Sequence, residues 1–143
     1  MKIHLLQNLA AFAISVVAAL AEEQNTVDPE LRQQIEALKQ DEAFNKNDAA
    51  GCTADYTRDA IEVWAWETTG GAATGQQAIE KRAAAMLASN PAKLVRKVIQ
   101  VYPVGDEVCA ISEFDHTFGK KGSCVAIYVR ELDEWKVRMA YWK

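Results

Sequence analysis

Residues 124–142 read CVAIYVRELDEWKVRMAYW. Apolar and polar positions alternate through CVAIYVR and again through WKVRMAYW, the period of half-buried strands, and ELDE (131–134) separates the two runs as a short turn. Upstream, KLVRKVIQVYPV (93–104) turns at Gly105-Asp106 into EVCAISEF (107–114), and the loop DHTFGKKGS (115–123) leads back to Cys124. Consecutive strands of this length form a curved antiparallel sheet, one face of which has to be covered.

The cover comes from the first half of the chain. In DPELRQQIEALKQDEAFNKND (28–48), Asp28 caps, Pro29 suits the first turn, and Leu31, Ile35 and Leu38 recur at helical spacing. Glu42 and Asn45 continue that spacing, with Ala43 and Phe44 widening the apolar stripe, so one long helix is expected. Asp48 caps a short second helix through AAGCTADY, and AIEVWAW (60–66) is a strand ended by Gly70-Gly71. Thr74 or Gly75 opens a third helix, QQAIEKRAAAMLASN (76–90), closed by Asn90-Pro91. The order is helix, helix, strand, helix and four strands, an α+β arrangement.

The first 21 residues, MKIHLLQNLAAFAISVVAALA, stand apart. Lys2, the absence of acids, an apolar run too short to span a bilayer and a closing Ala-Leu-Ala give the pattern of a signal peptide. The expected organisation is therefore a signal peptide (1–21), a polar lead-in (22–28) and one domain (29–143). Export to the periplasm or medium, with cleavage before Glu22 and no membrane contact thereafter, is the corresponding expectation. The net charge of −4 lacks any basic cluster denser than GKKG (119–122), which argues against a nucleic-acid partner.

Cys52, Cys109 and Cys124 fit no CxxC metal motif, and beyond the leader there is a single histidine, His116. No metal and no cofactor are expected. A Cys109–Cys124 bridge needs near-opposite positions across a hairpin, which the register of that hairpin decides; three free thiols are the expectation.

Four pieces, in this order and spacing, resemble a known family: the N-x-x-D helix end (45–48), Y-x-x-D-A (56–60), G-x-x-A-I (75–79) and the closing W-K-V-R-M (135–139). Over residues 29–142 the chain is similar to the nuclear transport factor 2-like superfamily, and within it to SnoaL-like and ketosteroid-isomerase-like bacterial proteins. The resemblance implies a cystatin-like cone: a strongly curved, mainly antiparallel sheet wrapped around a long N-terminal helix, with a pocket at its open end. It also implies homodimers through the outer sheet face. Members include isomerases, dehydratases, cyclases, epoxide hydrolases and proteins that only bind, so the fold leaves activity open.

Laid against the isomerase pattern, the general-base position falls at Trp64, the oxyanion-donor position near Gln40 and its acidic neighbour near Ala126. All three depart from the pattern, and ketosteroid isomerase chemistry has no carrier. The same register puts Glu62, Trp64 and Trp66 on the concave face with Tyr128, Val137, Met139 and Tyr141, and Phe44 beside them. Such an aromatic cage with polar tips suits a small apolar or aromatic ligand. The alternative is that these side chains fill the cone.

Glu62 is the candidate acid/base, against a capping or surface carboxylate. Glu113, if it points inward, would be its acidic partner. Asp59 reads as a structural acceptor, and His116 beside Asp115 as a solvated loop residue or a His–carboxylate pair. Two functions follow: an exported protein binding a small apolar or aromatic molecule, or a cofactor-independent isomerase, dehydratase or hydrolase using Glu62. The state of Glu62 separates them: a lone solvated carboxylate favours binding, a proton shared with a second acid favours catalysis.

Overall fold

The structure is a computed structural model that describes residues 28–38, 40–65, 70–89, 93–116 and 121–143. The expected leader and lead-in at 1–27, and Trp66, lie outside the described residues.

Helix α1 (Pro29–Glu36) starts where expected, with Asp28 Oδ1 accepting from the amides of Glu30 at 3.0 Å and Leu31 at 3.1 Å. The single long helix is not observed. The Leu38 amide bonds Ile35 O at 3.3 Å, a tightened i to i+3 turn, and a separate helix α2 runs Gln40–Asn45. The break has a packing cause. α1 turns Ile35 into the core, whereas α2 buries Ala43 together with Gln40, which lies five residues after Ile35 and off the stripe of one straight helix. Helix α3 (Ala49–Thr53) is capped by Asp48, as read, and α4 spans Gln76–Ser89.

The six strands are β1 (Tyr56–Trp64), β2 (Gly71–Thr74), β3 (Leu94–Val104), β4 (Glu107–His116), β5 (Lys121–Glu131) and β6 (Glu134–Trp142). Their order is β2-β1-β6-β5-β4-β3, antiparallel except where β1 lies parallel to β6. The turns fall where the sequence puts them: Gly105 has φ 61°, and Leu132 and Asp133 have φ 50° and 66°, the twist a tight hairpin needs. Edge strand β2 was expected as a turn leading into the third helix; its small residues carry no alternation.

Register shifts in the β1–β6, β3–β4 and β5–β6 pairings bend the sheet, which curves without closing. Its inner face carries Ala60, Val98, Val101, Val108, Ala110, Cys124, Ala126, Tyr128, Val137 and Ala140, packed with Ile35 and Ile79 from the helices. Each of those two isoleucines, fully buried, contributes about 2 kcal/mol. Two side chains pin the helices to the sheet. Asn45 Nδ2 donates to Leu94 O at 2.9 Å while its Oδ1 accepts from the Leu94 amide at 2.7 Å. Trp135 Nε1 donates to Gln34 Oε1 at 2.8 Å.

The β5–β6 shift corrects two expected positions. Ile127 opposes Met139 but Tyr128 opposes Val137, so Arg138 is an extra residue in the ladder. Val137 and Ala140 therefore both face inward, while Met139 (38% exposed) and Tyr141 (36%) lie on the outer face, not in the interior. On that outer face two rows run across the sheet, Ile61–Met139–Ile127–Cys109 and Val63–Tyr141–Val125–Ile111.

Candidate functional site

The concave face holds two buried ion pairs among its apolar side chains. Glu62 points inward from β1, as its parity requires, and is 7% exposed. Its Oε1 accepts from Arg82 Nη1 at 2.7 Å, and its Oε2 from the Tyr56 hydroxyl at 2.8 Å. Arg82 reaches it from α4, where Ile79, Ala83 and Leu87 form the buried stripe beside it. The Arg82 guanidinium also lies 3.5 Å from the centre of the Trp64 ring, a cation–π stack on the same inward face of β1. Trp64 sits so close to Gly71 that a Cβ there would run into the indole.

The second pair involves Arg96, directed inward from β3 by the alternation of Leu94, Arg96 and Val98. Its side chain is 3% exposed, and its Nε faces Asp41 Oδ1 at 3.2 Å. Nη1 donates to Gln40 Oε1 at 3.5 Å and to the Tyr128 hydroxyl at 3.4 Å. Gln40 is 8% exposed, and its Nε2 has no hydrogen-bond partner among the described residues.

Burial dominates the electrostatics of both carboxyls. Burial raises the Glu62 carboxyl above its usual range, opposed by Arg82 and Tyr56; burial likewise raises Asp41, opposed by Arg96. Burial opposes the charge of Arg96, but Tyr128 and Asp41 hold its pKa above the usual arginine value. Burial also pushes Tyr128 and Cys124 up to about 12, and Cys124 feels Arg96, Glu62 and Asp41 together. Cys124 itself lies buried on the inner face of β5.

Several candidates are placed elsewhere. Glu113 is exposed on the outer face opposite Lys97 and Ser123 and does not meet Glu62. Asp59 is exposed and accepts from Thr57 Oγ1 at 3.0 Å, a structural role on β1 itself. Asp115 pairs with Lys121 at 3.7 Å, and the His116 side chain lies outside the described residues. Phe44 is half-buried on α2, and Tyr128 and Val137 are buried on the inner face. Cys109 opposes Ile127 while Cys124 opposes Ser112; the two thiols are on opposite faces, and all three cysteines are free.

Tyr56, Arg82, Asp41 and Arg96 were not singled out in the sequence, yet two were signalled. Arg96 has the inward parity of β3, and Arg82 falls three residues after Ile79 on the helix stripe. A cation on an inward position demands a buried partner. Among the described residues, no three metal-ligating side chains cluster, and no helix is long and apolar enough to cross a membrane.

The fold is the nuclear transport factor 2-like, or cystatin-like, fold. A domain of unknown function with a cystatin-like fold from Nostoc punctiforme superposes with a TM-score of 0.67 at 12% identity, over 82% of this chain and 78% of that one. A nuclear transport factor 2-like protein of unknown function from Pseudomonas putida gives 0.61 at 20% identity, over 80% and 83%. A protein from Novosphingobium aromaticivorans, provisionally named a scytalone dehydratase, gives 0.65 at 16%, over 78% and 81%. No family model and no curated relative match the sequence.

Proposed function

We propose that the chain is an exported protein that binds a small apolar or aromatic molecule at the concave face of its sheet. The observation that carries this reading is the state of Glu62. Both of its oxygens are engaged, one by Arg82 and one by Tyr56, and Arg82 in turn braces the Trp64 ring. A carboxylate held in this way shapes and stiffens an aromatic wall, whereas a general base needs an oxygen free to reach the substrate. Glu62 is neither a lone solvated carboxylate nor, among the described residues, one of a pair of acids.

Export rests on the leader pattern of residues 1–21, and intact mass of secreted material beginning at Glu22 is its test. The outer rows of Ile61, Met139, Val125 and Tyr141 support a homodimer through that face, which Tyr141→Lys would dissociate in sedimentation velocity. For ligand binding, titration with the neutral probe N-phenyl-1-naphthylamine should enhance its emission and quench tryptophan. Trp64→Leu should weaken binding about tenfold, in line with one lost stacking contact. A wild type that leaves the probe unchanged overturns the reading.

A second reading has one observation in its favour: Glu62 is a buried acid whose pKa burial raises, as a general acid requires. On that reading the protein is a cofactor-independent isomerase, dehydratase or hydrolase, and Glu62→Gln abolishes turnover while preserving ligand affinity.

A further inference from the structure

The edge of the sheet at β3 is closed by a side chain. Asn45 Nδ2 donates to Leu94 O at 2.9 Å, and Asn45 Oδ1 accepts from the Leu94 amide at 2.7 Å. The carboxamide thus makes the pair of bonds that a residue of an added strand would make. β3 ends the strand order and has β4 on one side only. Both backbone groups of Leu94 therefore point away from β4. With no register shift between Leu94 and Val98, those of Arg96 point the same way.

Further along, the edge is guarded by other means. Val98 is 1% exposed, and helices α1 and α2 pack against the strand. A register shift follows between Val98 and Gln100, and Pro103 has no amide to offer. The Leu94 end is different. Val95, between the two residues whose backbone faces outward, is a β-branched apolar side chain 70% exposed. An unpaired edge with such a residue is a template for another strand.

We infer that Asn45 is an autoinhibitory plug, which occupies the place of a strand and keeps Leu94–Arg96 from pairing with the same segment of a second copy. The open edge would pair antiparallel about a two-fold axis at Val95. Leu94 of one copy would exchange both backbone bonds with Arg96 of the other, and the two Val95 side chains would meet across the seam. Lys97 would meet Lys93 there, a like-charge contact that salt screens, so this pairing strengthens with ionic strength. The plug acts whether or not the concave face binds a ligand.

Amide hydrogen exchange and sedimentation velocity over a range of protein concentrations test the plug in Asn45→Ala. At low concentration the Leu94 and Arg96 amides should exchange faster than in the wild type. As concentration rises, their exchange should slow by about tenfold or more while a species of higher mass appears. Adding Val95→Lys should abolish the association and leave the Leu94 amide fast at every concentration. Ile79→Val, which weakens the core but leaves the edge plugged, should show neither effect.

Leu94 and Arg96 amides that exchange equally fast at all concentrations in Asn45→Ala overturn the inference. So does association that survives Val95→Lys, because it runs through another surface, or a wild type with the same concentration dependence at those two amides. Should Asn45→Ala fail to fold, Asn45→Asp, which keeps an acceptor for the Leu94 amide and loses the donor, decides. Association sensitive to Val95→Lys supports the plug, and concentration-independent exchange overturns it.

Discussion

Arg82 and Glu62, twenty residues apart in sequence, form an ion pair 2.7 Å long whose side chains are only 15% and 9% exposed. Burial at that level makes each charge dependent on the other, because removing one leaves its partner desolvated and uncompensated. Arg82→Met should therefore destabilise the fold by about 3 kcal/mol in urea unfolding at pH 7. The double variant Arg82→Met/Glu62→Gln should recover much of that loss; a double variant whose loss equals the sum of the single losses would show the pair to be uncoupled.

The same carboxyl sets a pH dependence. Its folded-state pKa lies above the usual 4.5, chiefly through burial, so between that value and the raised one the native state holds more protons than the unfolded chain. Its contribution to stability is largest below 4.5 and declines as pH rises through the folded pKa. Glu62→Gln should gain stability relative to wild type as pH increases across that window. Denaturant midpoints measured from pH 4 to 8 check the sign, and a relative loss with rising pH would contradict it.

At Gly71 the close approach of the Trp64 indole excludes a methyl group. Alanine in a strand is otherwise easier to order than glycine, so a favourable backbone effect of roughly 0.5 kcal/mol opposes the clash. We expect the clash to win: Gly71→Ala should cost about 1–3 kcal/mol and shift tryptophan emission as the indole leaves Arg82. Unchanged emission with raised stability would contradict this.

Asn45 joins α2 to β3 by two hydrogen bonds to one residue, Leu94. Asn45→Ala should lose about 1–3 kcal/mol and expose the Leu94 amide to faster hydrogen exchange than its strand neighbours.

Thiol counting on denatured protein should find three, since Cys109 and Cys124 sit on opposite faces. In the native state Cys109, half-buried, should react first. Cys124, raised to about 12 by burial, should react only on unfolding. A disulfide-linked peptide containing both would contradict the register.

Much of the fold was legible because strand alternation and cap residues are local signals. Asp28, Asp48, Gly105 and the Leu132-Asp133 turn act within a few residues of themselves, and each is where the sequence puts it. The inward parity of Glu62 and Trp64 was legible for the same reason. Met139 and Tyr141 were misplaced because a bulge at Arg138 reverses the parity after it, and no alternation pattern reveals an extra residue. The break after Leu38 was hidden by continuous helical spacing. The partners of Glu62 were not legible, since Arg82 arrives from another element.

Strand β6 has β5 on one side and β1 on the other, and β1 carries β2. The whole β1–β2 edge is therefore held to the sheet by Glu134–Trp142 alone, across a separation in which Tyr56 pairs with Val137. A chain emerging from the ribosome has its first strand long before it has that strand's route into the sheet. Folding must wait for the last strand, and loop closure over so long a span is slow. Loss of β6 would thus cut the sheet in two rather than shorten it by one strand, leaving Glu62 and Arg82 on one fragment and Arg96 on the other.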